Sequence, residues 1–402
     1  MRSRSAIALL IVGLFGLVGP ARAESPKERA AKLMKKLATD KKADVRADAA
    51  KELGDMGAWD AVPALAAALK DPSADVRAGA AYALVKLKDK AKDAAPALKE
   101  ALGDRDHLVR YNAVVALQNM EAATPAELAA PIVSLLPGAD KDEGESVVKM
   151  LLNLGFEDPT ARKTILDTIV HGAPDVRLQV MNEMWHRDTM RQGGPWKAEV
   201  VAALVPMVTA DRDPKVRREA IVLLWQARAF SAPVGEALLK ALDDPDPEVV
   251  SQAAGTLNGI EHSPLPMKAV TNLSQKLKSA DPGTRIAAAR GLGSLIGWRE
   301  KFTPLLTAAL LGDKEPTVRL AVVSALGEID DDTAIPAMLT ALKNDADPRV
   351  KAAICTIWSK PMVKLRFART NTLDQVLAAL EAARADPGVK SAAEAALAAL
   401  RK

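Results

Sequence analysis

Cysteine and aromatic residues are scarce in this chain. One cysteine among 402 residues excludes an intramolecular disulfide, so the fold depends on packing. Cys355 stands among apolar residues at helical spacing, next to Ile354, which predicts a small buried side chain rather than a nucleophile. Aromatic residues make up only 3% of the chain, and the alanines at its small positions allow helices to approach closely. No segment has the alternating pattern of a strand.

Sequence patterns of catalytic and metal sites are also lacking. The histidines have no paired spacing of the kind a metal site uses, and no zinc, haem-attachment or HExxH pattern occurs. Gly193-Gly194-Pro195 follows no strand and forms no phosphate loop. No pair among the 51 acidic residues has a spacing that selects it for glycoside hydrolysis. The sequence therefore predicts a protein that is not an enzyme and has no cofactor or metal. The four histidines are His107, His171, His186 and His262.

Only one long apolar run occurs, at the amino terminus. Basic residues precede the run from Ala6 to Val18, and Ala21-Arg22-Ala23 follows it, which is the order of a cleaved secretory signal. An uncleaved anchor is the alternative, but the run is shorter than the roughly 20 residues that a spanning helix needs. We therefore expect residues 1–23 to be removed, leaving a periplasmic or secreted protein that begins at Glu24 and has no membrane span.

Loss of this signal changes the charge balance. Arg2, Arg4 and Arg22 leave with it and no acidic residue does, so the formal net charge falls from +4 to +1. A surface that follows phosphates usually belongs to a strongly basic domain. A nucleic acid is therefore not an expected partner.

A repeated frame dominates the rest of the chain. In its first copies an aspartate, a valine and an arginine precede two alanines and a leucine, as from Asp44 to Leu53 and from Asp75 to Leu84. From Val45 to Val389 there are ten steps over 344 residues, or about 34 residues each, a period typical of a solenoid. Copies of the frame occur at Val109, Val148, Val176, Val216, Val249, Thr284, Val318, Val350 and Val389.

Asp-Pro turns precede many of these frames. Aspartate caps a helix start, and proline at the first helical position loses no hydrogen bond, so each turn is predicted to begin a helix. Another amphipathic segment lies before each turn, which indicates a pair of helices per repeat. Stacked pairs share a continuous core that a single pair lacks. The turns include Asp71-Pro72, Asp213-Pro214, Asp244-Pro245, Asp281-Pro282 and Asp347-Pro348.

The motif Pro-x-Leu-x-x-x-Leu followed by Asp-x-x-Val-Arg-x-x-Ala-x-x-Ala-Leu resembles the HEAT-repeat family, including its bacterial subclass related to phycobilisome-lyase repeats. The match is close at residues 44–120 and 281–354. The resemblance implies an all-α fold, a right-handed α-α superhelix of about ten helical hairpins. Residues 24–402 would form this single solenoid, irregular at 140–200 and 349–373.

The resemblance also implies a ladder of charged side chains between neighbouring repeats. Its aspartates and arginines would come from the second helix of each hairpin, and those helices would line a concave face. The ladder is incomplete at Val250 and Thr284, so we expect looser stacking near residues 249–285. Its expected members are Asp44, Arg46, Asp75, Arg77, Asp106, Arg110, Asp175, Arg177, Asp213, Arg217 and Arg319.

The outward side of these second helices is rich in amides near its centre. Side-chain amides both donate and accept hydrogen bonds, so a row of them is able to hold an extended peptide backbone. A solvated polar face is the alternative interpretation. The candidate partner-binding residues on this stripe are Asn112, Asn119, Gln179, Asn182, His186 and Gln226, with Gln252 beyond them.

Two tryptophans stand where other repeats have glycine. Trp185 and Trp225 occupy the position that Gly54 and Gly327 take in their own frames. Either they fill space where the repeat at 140–200 packs poorly, or they form an aromatic anchor of the kind enriched at interfaces. A long insert from Arg187 to Lys197 adjoins Trp185, and inserts of this kind often lie on a binding side.

A basic segment is the other outlier. Between Asp347 and Asp374 there is no acidic residue, while Lys360, Lys364, Arg366 and Arg369 form a candidate basic patch. Such a patch suits an anionic surface or a cell-wall polymer. A solvated loop opposite acidic residues elsewhere is the alternative.

Together these patterns favour a monomeric, non-catalytic scaffold in the cell envelope or outside the cell, which binds an unknown protein or an extended peptide. A lyase-like enzyme or enzyme accessory acting on a bound ligand is the first alternative, with His186 as the position to inspect for a ligand or metal. Binding of an envelope polymer through the basic segment is the second.

Replacement of Asn182, Trp185 and Trp225 by alanine is expected to weaken capture of the partner, because the stripe and its aromatic residues would lose their contacts. Pull-down measures the capture, and circular dichroism checks that helicity is intact. Unchanged capture by the triple variant would remove this surface as the binding site.

Overall fold

The described part of the chain is entirely helical. A computed structural model describes residues 24–186, 195–260, 263–360 and 363–401, and over these ranges it contains α-helices and short 3-10 turns but no strand. None of the helices in these ranges is long and apolar enough to cross a membrane. The all-α prediction is confirmed. The expected signal, residues 1–23, lies outside the described residues.

The chain divides into two compact units, Met1–Leu135 and Leu136–Lys402. The first unit contains three hairpins, in which α1 packs against α2, α3 against α4, and α5 against α6. Helices α2, α4 and α6 contact one another in sequence, and α7 packs against α6. The helices are α1 Pro26–Thr39, α2 Ala43–Asp55, α3 Val62–Ala68, α4 Ala74–Leu87, α5 Ala95–Ala101, α6 His107–Asn119 and α7 Pro125–Val133.

The second unit continues the same pattern after an opening helix, α8. Its helices are α8 Lys141–Glu157, α9 Pro159–His171, α10 Pro174–His186, α11 Pro195–Ala210, α12 Pro214–Gln226, α13 Ala232–Ala241, α14 Pro247–Asn258, α15 Leu265–Lys276, α16 Pro282–Gly293, α17 Thr303–Gly312, α18 Pro316–Ile329, α19 Ile335–Asn344, α20 Pro348–Trp358, α21 Val363–Arg369, α22 Leu373–Ala383 and α23 Lys390–Arg401.

Seven hairpins follow α8, beginning with α9–α10 and ending with α22–α23. The even-numbered helices α8 to α20 form one layer, in which each contacts the next, and α23 packs beside α20. With three hairpins in the first unit, the prediction of about ten is confirmed. The short helix α21 is extra, because it stands between the last member of that layer and the next hairpin.

Aspartates begin many helices, as predicted. The side chain of Asp213 accepts a hydrogen bond from the backbone N–H of Lys215, and Pro214 is the first residue of α12. Asp281 and Asp347 cap α16 and α20 in the same way. Asp71 and Asp244 do not cap a helix, contrary to prediction: α4 begins at Ala74, and α14 is capped by Asp246. Each of these two aspartates instead forms an ion pair with an arginine of a neighbouring helix.

Small residues bring adjacent helices close together. Ala80, Ala81 and Ala83 of α4 are fully buried. A Cβ added to Gly54 of α2 would lie only 2.5 Å from the Cα of Ala83, so no larger residue fits there without a shift of the helix. Close backbone approach at alanine and glycine therefore supplies much of the core, and few aromatic side chains are needed to fill it.

A bidentate arginine–aspartate pair joins successive hairpins. Arg217 of α12 donates from Nε and Nη2 to the carboxylate of Asp244, at 2.6 and 2.7 Å, and both side chains are almost fully buried. Its Nη1 donates to the carbonyl of Asp211, in the turn before α12. Each such arginine therefore ties its own turn to the next one. The bidentate pairs are Arg46–Asp71, Arg77–Asp104, Arg217–Asp244, Arg285–Asp313 and Arg319–Asp345. Arg177 pairs with Asp211 through Nη1, while its buried Nε has no hydrogen-bond partner among the described residues.

The aspartates of these pairs also shape the turns. Asp71 Oδ1 accepts the backbone N–H of Ser73, and Asp104 Oδ1 accepts that of Asp106. Hydrogen bonds from Arg46 hold the pKa of Asp71 below its ordinary value, and those from Arg77 do the same for Asp104. The carboxylates of Asp71 and Asp104 are thus charged over the physiological range, and the arginine and the backbone together satisfy their hydrogen bonds.

The aspartates implied by the resemblance are the wrong ones. Asp44 and Asp75 lie in the first turn of α2 and α4, are exposed, and form no ion pair with an arginine in the described structure. A residue in that turn faces solvent, whereas the turn between the two helices of the next hairpin brings its aspartate to the guanidinium. Arg110 pairs with no aspartate among the described residues, and its Nη2 donates to the carbonyl of Ser134.

Two further expectations concern residues 249–285. The expected gap at Thr284 is wrong, because Arg285 pairs with Asp313 at 2.7 and 2.9 Å. At Val250 an arginine is lacking, and Lys276 of α15 donates to the carbonyl of Leu242 at 2.7 Å. Looser stacking is not found: a Cβ on Gly291 of α16 would lie 3.1 Å from Val250 of α14.

Instead, α16 is displaced along α14. Ser294 contacts Ser251, 43 positions earlier, and Arg290 pairs with Glu248, 42 positions earlier. In the first unit, by comparison, the amide of Asn112 lies beside the carbonyl of Ala78, 34 positions earlier. The frames at Val249 and Thr284 are 35 positions apart, so the displacement is about two helical turns.

Replacing Arg217 with alanine is expected to lower the free energy of unfolding by about 3 kcal/mol, because the buried carboxyl group of Asp244 would lose its partner. Urea titration followed by circular dichroism measures the change. The matched control is Arg218→Ala on the same helix, where an exposed side chain is expected to change stability by less than about 0.5 kcal/mol. Equal effects of the two substitutions would show that the pair does not support the stack.

Candidate functional site

A cleft of the second unit lies where two consecutive inter-hairpin turns face each other. It has a volume of about 1270 Å³. One wall is the end of α12 with the turn to α13, and the other is the end of α14 with the start of α15. Side chains at turns are less constrained by packing than side chains between helices. The turns along this edge of the unit can therefore carry residues that the repeat itself does not require.

Trp225 is the central aromatic side chain of the cleft. It stands on the last turn of α12 and is 40% exposed. One edge of its ring packs on Gly259 at the end of α14, where an added Cβ would overlap the ring. The tryptophan thus has a seat on the neighbouring repeat, but a large part of its ring remains open to solvent.

Phe230 completes an aromatic pair. Its ring centroid lies 5.5 Å from that of Trp225, with the planes tilted by 49°, and it is 39% exposed. The turn that places it is a helix end in which Arg228 adopts a left-handed conformation, with φ of 48°. The N–H of Ala229 donates to the carbonyl of Leu224, and that of Arg228 to the carbonyl of Trp225, which closes α12 and turns the chain back.

The charge around this aromatic pair is positive. Lys197, Arg228 and Lys268 line the cleft, opposed by the single acidic residue Glu236. None of the three bases forms an ion pair with another described residue. A ligand with carboxylates therefore meets three cations that are not neutralised by the described part of the protein.

Gln226 contributes an amide to the same cleft. Its Oε1 atom is buried and has no hydrogen-bond donor among the described residues. A buried carbonyl oxygen without a donor costs about 1–3 kcal/mol. Of the predicted amides, Gln226 is the one that lines the same cleft as Trp225.

The other predicted amides are not among the residues that line this cleft. Asn112 and Asn119 belong to α6 of the first unit, where the Nδ2 of Asn112 lies 3.5 Å from the carbonyl oxygen of Ala78. On α10 of the second unit, Asn182 is exposed, while the side chain of Gln179 packs on Gly144 with its Oε1 buried. The amide row as a binding surface stays a prediction.

Trp185 and His186 end helix α10, but their side chains lie outside the described residues, as do residues 187–194 of the insert. Trp196, at the start of α11, is buried, and the guanidinium of Arg162 lies over its ring at 5.3 Å. This end of the insert is therefore packed into the unit.

Half of the basic patch is neutralised by ion pairs. Arg366 is buried and donates to Asp330 and Asp332, and Arg369 donates to Asp332 at 2.7 Å. Lys360 is exposed and Lys364 half-buried. Pro361 lies outside the described residues. Two of the four expected surface cations are thus engaged with aspartates in the turn before α19.

Cys355 and His107 have structural environments and not those of a reactive site. Cys355 is buried, and burial raises the pKa of its thiol to about 11. The Nε2 of His107 lies 3.0 Å from the carbonyl oxygen of Leu135, and His262 lies outside the described residues. Within the described ranges, no group of three or more histidine, cysteine or acidic side chains is placed to hold a metal ion.

Sequence reasoning identified Trp225 and Gln226 but missed Phe230, Arg228 and Gly259. The sequence contained one signal for Gly259. Trp225 of α12 stands at the frame position that is glycine in α2, and the residue at the end of α14 on which its ring packs is a glycine. Phe230 gave no signal, because its position depends on how the chain turns after α12.

Gly259→Ala is expected to displace the Trp225 ring, because the new Cβ would occupy the space of its six-membered ring. In protein labelled with 5-fluorotryptophan, ¹⁹F NMR should show a shifted Trp225 resonance, assigned by its loss in Trp225→Phe. Gly255→Ala is the control, since its nearest neighbour outside the helix would be Ser294 Cβ at 3.6 Å, an ordinary contact. An unmoved Trp225 resonance in Gly259→Ala would mean that the ring is not seated on this glycine.

Comparison with known proteins agrees with the repeat architecture. A family model described as HEAT repeats matches residues 30–122 and 270–357. No curated protein sequence matches the chain. The chain is similar to the crystal structure of Kap121p, with a TM-score of 0.64, 15% identity, and coverage of 92% of this chain and 45% of that one.

Two complexes of the same karyopherin give similar values. Kap121p bound to the extreme C-terminus of the protein phosphatase Cdc14p has a TM-score of 0.61 at 13% identity, with 93% of this chain and 45% of that chain covered. Kap121p bound to the SUMO protease Ulp1p has a TM-score of 0.61 at 13% identity, with 96% and 46% covered. The chain spans less than half the length of these structures. Residues 30–122 and 270–357 thus match a model of HEAT repeats, and the chain shares its all-α fold with Kap121p.

Proposed function

We propose that this protein is a non-catalytic interaction module that binds a segment of a partner protein through the Trp225–Phe230 cleft. The observation that carries the proposal is the open aromatic pair. Two large rings, each about two-fifths exposed, face one another in a cleft whose walls belong to successive hairpins. Aromatic side chains in a pocket are the residues that most often dominate binding energy at interfaces.

The fold supports this role. A stack of hairpins presents one turn per repeat along its edge, so neighbouring turns together form an extended surface. The karyopherin structures similar to this chain include Kap121p bound to the extreme C-terminus of Cdc14p and Kap121p bound to Ulp1p, so a protein of similar fold binds other proteins there. Fold alone does not decide function, and the cleft is the feature of this chain that specifies it.

Export is part of the proposal. The basic start, apolar run and Ala21-Arg22-Ala23 of the first 23 residues support a periplasmic or secreted protein, acting as a monomer. Relationship to the bacterial subclass near the phycobilisome-lyase repeats is proposed on the motif alone. The alternatives are less well supported: two cations of the basic segment are paired with aspartates, and no described cluster of side chains suits a metal.

An unbiased library of linear peptides displayed on phage is expected to yield binders that require Trp225. Trp225→Ala should weaken them by about 30-fold, the effect of truncating an interface tryptophan worth about 2 kcal/mol. Affinities are measured by fluorescence anisotropy on synthetic copies of the selected peptides. A thermal melt of the variant shows whether the fold is retained.

Trp59→Ala is the matched control, because Trp59 lies in the turn before α3 and is more exposed than Trp225, at 57%. It should leave the affinities unchanged. Peptides that bind equally well to wild type and to Trp225→Ala would show that the cleft is not the binding site.

A further inference from the structure

We infer that the occupant of this cleft is an acidic linear segment that carries one large apolar side chain, with the apolar group on Trp225 and Phe230 and its carboxylates toward Lys197, Arg228 and Lys268. This inference rests on the proposed function and adds the chemistry of the partner. Three features of the cleft lead to it: its unpaired bases, the helix ends that open on it, and its size.

The bases of the cleft differ from a comparable base on the same helix. Lys276, near the end of α15, pairs with Asp243 and donates to the carbonyl of Leu242. Lys268, two turns earlier and lining the cleft, pairs with no acidic residue in the described structure. Arg228 and Lys197 also have no such partner there. Since Glu236 is the only acid in the lining, the ligand that complements the cleft is negatively charged.

Two helix amino termini add to this field. Ser231 and Ala232 begin α13, and Pro264 and Leu265 begin α15, and all four residues line the cleft. The N-cap Ser231 makes no side-chain hydrogen bond to its helix, so the first N–H groups of α13 have no cap from that side chain. Helix amino termini carry a partial positive charge that favours carboxylates. Side-chain charges and backbone dipoles therefore have the same sign around one cleft.

The size and shape of the cleft favour a chain over a small molecule. Its volume of about 1270 Å³ is larger than the roughly 300–1,000 Å³ of ordinary ligand pockets. The aromatic pair occupies one wall, while Lys268 lies on the opposite wall at the start of α15. A segment with an apolar side chain and a carboxylate a few residues apart would contact the aromatic pair and Lys268 at the same time. A free carboxylic acid or an inorganic anion would leave the aromatic rings exposed.

Three synthetic peptides of equal length separate the contributions of charge and anchor. The first carries a tryptophan flanked by aspartate and glutamate, the second has lysines in place of the acids, and the third keeps the acids but has alanine in place of the tryptophan. Fluorescence anisotropy against the full chain should give the first peptide an affinity about tenfold higher than either of the others. Raising the salt concentration from about 20 to about 500 mM should weaken the first peptide several-fold, because exposed charges are screened.

Reversal of the cleft's charge should reverse this preference. The double variant Arg228→Glu/Lys268→Glu is expected to bind the acidic peptide about tenfold more weakly and the lysine peptide more tightly. The substitution at 228 suits the turn, because Glu121 already occupies a left-handed position at the end of α6, with φ of 51°. Arg212→Glu/Lys314→Glu is the control with the same change of net charge at exposed positions of the second unit, and it should leave both affinities nearly unchanged.

The outcomes distinguish this inference from the proposed function. A lysine or neutral peptide that binds wild type as well as the acidic one, and still requires Trp225, would overturn the acidic occupant and leave the cleft as the binding site. Binding of the acidic peptide that falls equally in the control would also overturn it, because the effect would then be one of net charge. If no peptide of any composition requires Trp225, both the inference and the proposed function fail.

Discussion

The buried pair between an arginine of one hairpin and an aspartate of the next turn sets the register of the stack. In the bidentate pairs the guanidinium makes two sets of hydrogen bonds: Nε and Nη2 donate to the aspartate of the next turn, and Nη1 donates to a carbonyl of its own turn. Because the guanidinium is rigid and planar, these bonds fix the height of one turn relative to the next. Hydrophobic contacts between alanine-rich helices are non-directional and would tolerate sliding. The pair therefore gives the position, and apolar burial gives most of the stability.

The second unit shows what accompanies a missing arginine. Val250 occupies the frame position at which most other repeats have an arginine. Helix α16 lies about two turns further along α14 than the spacing of the frames predicts. Contact between the two helices is close all the same, since Gly291 of α16 lies directly against Val250. Packing without the directional pair is thus compatible with another register, and the frame spacing alone does not determine how two helices align.

The candidate site lies beside this change. Arg217–Asp244 ties the turn before α12 to the turn before α14, and the cleft opens at the other ends of the same two helices. Firm attachment at one end fixes where Trp225 and Gly259 meet at the other. Binding residues placed on turns over a fixed stack can vary without disturbing the core, which is how repeat folds acquire different partners. The positive charge of this cleft and its aromatic pair are features of these particular turns and not of the repeat.

The sequence by itself determined the repeat, the helical hairpins and the burial of Cys355, because apolar periodicity and Asp-Pro turns act locally along the chain. It also identified Trp225, since a tryptophan in place of glycine is visible in the frame. Only the tertiary structure decided which aspartate meets each arginine, because Asp44 and Asp71 are equally plausible in sequence and only one lies across from Arg46. In the same way it paired Arg366 with aspartates more than thirty positions away and brought Phe230, Arg228 and Lys268 to one cleft. Those groupings depend on how one hairpin rests on the next, which no local pattern contains.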